Sequence, residues 1–181
     1  MINLKKILNN NTIYYIIVNK NKLNFKVNKN SKERLETLQS RYVLNFMLKY
    51  FGIKSEPICK TKLGKPYFKN SNIFFNYSHS KNFIACAISN YNIGIDIEET
   101  DRVITDTMVK ICNFNKNSNK LEELVKREAF CKLTGNGIAM FFDKNNFKNI
   151  DINNITIKNK EYICSICSDC SYPVFQSINI Q

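Results

Sequence analysis

Ile13–Val18 is an unbroken apolar and aromatic run and reads as an early strand. From Lys32 to about Phe51 the period changes: Leu35, Leu38, Tyr42, Phe46 and Lys49 recur every three to four residues, as on a helix. Gly52 follows where a glycine would cap the helix C-terminus. Gly64-Lys65-Pro66-Tyr67 reads as a turn. Ile73–Tyr77 and Phe83–Ser89 are two β-rich runs joined by Ser78–Asn82, and Asn90-Tyr91-Asn92 leads to a further strand, Ile93–Glu98. Asp101–Cys112 and Lys120–Leu133 read as helices, the second stopped by Gly135-Asn136-Gly137. Strands are expected again at Ile155–Lys158, Tyr162–Cys167 and Pro173–Ile178. Short strands with one long helix in each half predict an α+β fold.

Polar Asn/Lys clusters at Asn19–Asn24, Asn28–Lys32, Asn113–Lys120 and Asp143–Asn149 fall between these elements as loops. The chain of 181 residues suits one compact domain or two small halves sharing a core. A net charge of +12 favours polyanionic partners, whether nucleic acid, phosphorylated cofactors, acidic proteins or anionic membrane, without choosing among them. No apolar run is long enough to span a bilayer, and the basic start Met1–Lys6 is followed by no export signal. With seven irregularly spaced cysteines, an odd number, a reducing cytoplasm is expected.

Ile93-Gly94-Ile95-Asp96-Ile97-Glu98 alternates with period two, so the isoleucines share one strand face and Asp96 and Glu98 the other. Two carboxylates on one face repel unless a cation sits between them, and magnesium takes oxygen ligands. Taken alone, a solvated strand face is the commoner outcome. Glu128 and Lys132 are i and i+4 on the second helix, either a surface ion pair or a carboxylate and a phosphate-binding cation on one face. His79 is the chain's one histidine, and Ser78 beside it points to the opposite face of an extended segment, which argues against a serine-hydrolase triad. A turn offering N–H groups, a hydroxyl and an imidazole suits phosphate instead.

Four segments occur in order: Gly64-Lys65-Pro66, Phe75-Asn76-Tyr77-Ser78-His79-Ser80, Gly94-Ile95-Asp96-Ile97-Glu98, and Lys126-Arg127-Glu128-Ala129-Phe130-Cys131-Lys132-Leu133-Thr134-Gly135-Asn136-Gly137. Together they resemble the Sfp-type 4'-phosphopantetheinyl transferases of the holo-acyl-carrier-protein synthase superfamily. The resemblance covers about Gly64–Ile138, and the ends match in outline. It implies two similar α/β halves related by a pseudo-twofold axis, 1–91 and 92–181, each a small mostly antiparallel sheet on a long helix, with the active site between them. It implies Asp96, Glu98 and Glu128 as magnesium ligands, with catalytic roles for Asp96, Glu128 and Lys132. Coenzyme A is expected at Lys65, Ser78, His79, Thr100, Arg127 and Lys132, with Arg41 as an N-terminal cationic contact. The implied reaction moves 4'-phosphopantetheine to a serine of an acyl or peptidyl carrier protein and releases 3',5'-ADP. The protein is then a cytoplasmic monomer with neither nucleic acid nor membrane as partner.

The sequence departs from the family pattern in three places. Leu124 stands where Trp is usual, Arg127 where Lys is usual, and the stretch between Thr100 and Glu128 is shorter. The shortening keeps open a transferase-like protein that binds coenzyme A or a carrier without catalysis. Cys164, Cys167 and Cys170 have C-x-x-C-x-x-C spacing, which suits zinc or an iron–sulfur cluster but lacks a fourth ligand. On a strand, Cys164 and Cys167 would face opposite sides, which favours ordinary reduced cysteines. The lysines are spread along the chain, which ranks nucleic-acid binding low.

Overall fold

The computed structural model describes residues 8–25, 33–115, 117–142, 144–147 and 153–179. The basic start Met1–Lys6 and the Asn28–Lys32 cluster lie outside the described residues. The fold is α+β. Strand β1 (Thr12–Asn19) leads through a short 3-10 turn to helix α1 (Leu35–Tyr50). The hairpin β2 (Ile58–Lys60) and β3 (Pro66–Phe68) follows, then β4 (Phe74–His79), β5 (Phe83–Ser89) and β6 (Ile93–Glu99). Helices α2 (Asp106–Cys112) and α3 (Lys120–Thr134) precede two 3-10 turns and β7 (Asn154–Lys158), β8 (Tyr162–Ser168) and β9 (Val174–Ser177).

One sheet has the order β4-β5-β1-β9 and another β6-β8-β7. All pairs are antiparallel except β1–β9, so the last strand returns to the first sheet alongside the first strand. The apolar run of β1 needs cover on both faces, and it finds both. Tyr14, Ile16 and Val18 pack with Val43, Leu44 and Met47 of α1. Ile13 packs with Ile93, Ile95 and Ile97 of β6 and with Cys164 and Ile166 of β8. The two sheets thus meet in one apolar layer, α1 covers the outside of the first, and α3 packs on β6 and β8 of the second.

The expected helix at α1 is present, but its buried face is a different one. Val43, Leu44, Met47 and Leu48 face the core, while Leu35 and Tyr42 are 46% and 41% exposed. Two apolar stripes at helical spacing compete on α1, and the aliphatic one wins the core. Gly52 ends the helix at φ 67°, the left-handed conformation expected of it. The Gly64–Tyr67 turn is shifted: the reversal runs over Thr61–Lys65, with Gly64 at φ 90°, and Pro66 already pairs with Lys60.

Ser78 and His79 do not lie in the connection expected of them. They continue β4, paired with Ala85 and Ile84, because β5 extends the ladder opposite them. Helix α2 starts at Asp106, later than expected, because the Thr105 hydroxyl caps it by accepting the Met108 N–H at 3.2 Å.

Candidate metal and phosphate site

Strand β6 has two faces with opposite chemistry. Ile93, Ile95 and Ile97 are completely buried between the sheets. Gly94, Asp96 and Glu98 occupy the alternate positions and face α3. A Cβ built on Gly94 would lie 2.0 Å from the Ala129 carbonyl oxygen and 2.4 Å from the Leu133 amide nitrogen. Only glycine lets helix and strand approach so closely, and that approach sets Glu128 and Lys132 over the two acids.

Asp96 is 1% exposed. Its Oδ1 accepts from the Ser78 hydroxyl at 2.7 Å and from Lys132 Nζ at 2.6 Å. Lys132 also donates to Ser78 Oγ at 2.7 Å, which closes a triangle across β4, β6 and α3. The seam between β4 and β6 is fixed by Asn76, whose side-chain oxygen accepts the Ile95 N–H at 3.2 Å. Asp96 Oδ2 is buried with no hydrogen-bond partner among the described residues.

Carboxylate oxygens of Asp96, Glu98 and Glu128 lie within 4.8 Å of one another, the one such group of potential metal ligands among the described residues. Burial, and then the charge of Asp96, push the Glu98 and Glu128 carboxyls up to about 7 from an ordinary 4.5. A buried, unpaired oxygen and three crowded acids fit a hard divalent cation such as Mg2+. The raised values also set the pH response of the metal-free fold. Between about 4.5 and 7 the native state holds protons that the unfolded chain has released, so stability falls as pH rises through that window. Chelator-treated protein is expected to melt higher at pH 5 than at pH 8, and Mg2+ at pH 8 is expected to narrow the gap. Thermal unfolding with and without chelator checks both.

A cavity of about 400 Å³ opens beside the acids, its wall including Leu63, Lys65, Tyr77, Glu128, Lys132 and Phe141. Its size is that of a small-molecule site. Lys65 crosses its rim, donating to Asn92 Oδ1 at 2.5 Å and to the Leu133 carbonyl at 2.7 Å. Burial lowers this amine to about 8. His79 is exposed at the end of β4, and partial desolvation and nearby Lys20 lower its pKa. Arg41 pairs with Glu33 at 2.8 Å and lies beside Tyr77.

Two of the residues singled out from sequence are occupied elsewhere. Thr100 Oγ1 donates to the Lys160 carbonyl at 2.8 Å and ties the end of β6 to the turn before β8. Arg127 is 5% exposed, and its guanidinium pairs with Glu123, donates to the Cys112 carbonyl and stacks 4.8 Å from the ring centres of Phe114 and Phe147. On α3 it faces α2, a quarter-turn or so away from the Glu128–Lys132 face, so its charge is spent on holding α2 in place. Arg102, which the sequence reading passed over, pairs with Glu98 four residues before it. The only sequence signal was an opposite charge just beyond the end of a strand.

Cys164 and Cys167 join separate clusters on opposite faces of β8. All seven cysteines are free, and burial raises the Cys167 thiol to about 12 and holds the Cys164 thiol well above its ordinary value, which disfavours the thiolate a metal needs.

Three clustered carboxylates, with a lysine and a hydroxyl bonded to one of them and a cavity alongside, form a donor set that could hold a hard cation. No protein-family model matches the chain. The chain is similar to the 4'-phosphopantetheinyl transferase gsp of Aneurinibacillus migulanus, at 29% identity, with 77% of this chain and 70% of that protein covered. The similarity supports a phosphopantetheinyl transferase family assignment for this chain.

Proposed function

We propose that the protein moves 4'-phosphopantetheine from coenzyme A to a serine of an acyl or peptidyl carrier protein, with Mg2+, releasing 3',5'-ADP. The observation that carries this reading is the buried, unpaired Asp96 Oδ2 among three converging carboxylates, next to Lys132 and a cavity. The cleft between halves 1–91 and 92–181 is where we place the reaction. It lies on the β4–β6 seam, where Ser78 of the first half meets Asp96 of the second.

Asp96, Glu98 and Glu128 would hold the cation. Bound there, it supplies charge neutralisation to the pyrophosphate as the bond breaks. Lys132, bonded to Asp96 Oδ1, would be freed in part from that carboxylate to clamp a phosphate oxygen. Ser78 orients Lys132 and Asp96 together, and the exposed His79 beside it faces the nucleotide end. Lys65 contributes a half-buried cation at the cavity rim. The carrier serine oxygen forms a bond to the phosphorus that bears pantetheine. The bridging P–O bond breaks, its electrons leave on 3',5'-ADP, and the serine proton goes to Glu128.

The positive surface would steer both coenzyme A and an acidic carrier towards the cleft. We propose a monomer in the cytoplasm, where the seven free cysteines would stay reduced. Chromatography of nucleotides released from coenzyme A tests the reading. One 3',5'-ADP per modified apo carrier is expected, with none in chelator. Nucleotide release independent of carrier would overturn it.

A further inference from the structure

The three carboxylates of the site are held in different ways. Asp96 is fixed by Ser78 and Lys132. Glu98 is reached from the open side by Arg102, whose Nη1 donates to Glu98 Oε1. Arg102 lies just past the end of β6, and the backbone there is tied down on several sides. Its own N–H donates to the Glu99 carbonyl at 3.0 Å, and the Thr100 N–H donates to the Glu161 carbonyl at 3.1 Å. The Thr100 hydroxyl bonds the Lys160 carbonyl, and the Glu99 carboxylate accepts the Asn82 N–H at 2.6 Å. These bonds fix the backbone from which the Arg102 side chain reaches Glu98.

The Arg102 side chain is 33% exposed and the Glu98 side chain 15% exposed. A partly exposed pair adds little to fold stability, so stability is a weak reason for its presence. Orientation is a stronger one. The guanidinium fork constrains the plane of the carboxylate it meets, which a lysine point charge does less well. Arg102 holds Glu98 Oε1, and a Glu98 carboxylate oxygen lies within 4.8 Å of those of Asp96 and Glu128.

We infer that Arg102 is a positioning residue that turns the Glu98 carboxylate toward Asp96 and Glu128 to receive a divalent cation. The inference rests on the metal-site reading proposed above. A guanidinium near a cation site also repels the cation, so the sign of its removal separates the two roles. Partners that orient metal ligands typically contribute 10–100-fold to metal affinity.

The test uses the full chain and Mn2+ as probe, without coenzyme A or carrier, counting free Mn2+ by electron paramagnetic resonance. Arg102→Gln is expected to weaken Mn2+ binding by about 10–100-fold. Arg102→Lys should recover only part of the loss, and neither variant should change the melting temperature in chelator. Wild type that binds Mn2+ alongside an Arg102→Gln variant that binds as tightly, or tighter, would overturn this inference and leave the metal site standing. Failure of wild type to bind Mn2+ would remove both. A drop in melting temperature for Arg102→Gln in chelator, without rescue by lysine, would assign Arg102 to structure and overturn the inference as well.

Discussion

Asp96→Ala is expected to lower transfer at least about a thousandfold, comparable to the upper range for deleting one preorganised electrostatic group, while the protein remains folded. The residue supplies the buried oxygen that has no other partner and the anchor that holds Lys132 and Ser78 in place. Both sides of the proposed phosphate clamp therefore depend on it. The fold depends on it much less. Without a cation, Asp96 adds a third negative charge to a cluster already crowded by Glu98 and Glu128. Removing it relieves repulsion, and Lys132, a third exposed, can turn to the remaining acids. The melting temperature of metal-free Asp96→Ala should equal or exceed that of wild type, the trade-off expected of a functional cluster. Steady-state transfer and thermal unfolding in chelator, measured on the same preparation, check the two halves. A variant that has lost its fold, or kept its activity, would contradict the role given to Asp96.

Gly94→Ala carries the largest expected effect on the fold. The added methyl would meet the backbone of α3 at Ala129 and Leu133 and not a flexible side chain. The helix has to move as a body. Overpacking of a core costs about 1–3 kcal/mol and occasionally more, and a clash with backbone belongs at the upper end, about 3 kcal/mol. Because α3 also carries Glu128 and Lys132, the shift should separate them from Asp96. Denaturant unfolding is expected to show the stability loss, and Mn2+ binding should fall in the fraction that remains folded. Full activity in Gly94→Ala would mean that α3 does not need this approach to the strand.

Much of this was legible in the sequence where period and chemistry coincide. In β6 a period of two sorted isoleucines from acids, and the structure puts the isoleucines between the sheets and Asp96 facing the helix. Glu128 and Lys132 shared a face by helical spacing alone, and they line one cavity. Where two patterns competed, the reading failed. On α1 the stripe through Leu35, Leu38, Tyr42 and Phe46 has good helical spacing, but Leu35 and Tyr42 are exposed and only Phe46 packs on the core, which a second stripe through Val43, Leu44, Met47 and Leu48 fills. Three-residue strands such as β2 and β3 carry too little periodicity to read. Arg127 sits next to Glu128 in sequence, but a step of about 100° round the helix turns it to Phe114 and Phe147 instead of the acids. Arg102 lies beyond the strand end, where no period assigns a direction. The return of β9 to pair with β1 is a long-range choice that no local pattern encodes.

The most direct measurement is the intact mass of apo carrier proteins after incubation with this protein, coenzyme A and Mg2+. A gain of one phosphopantetheinyl group per carrier is expected, abolished by chelator and by Asp96→Ala. No mass gain on any acyl or peptidyl carrier, in a preparation that still binds coenzyme A, would contradict catalysis and leave a binding protein in its place.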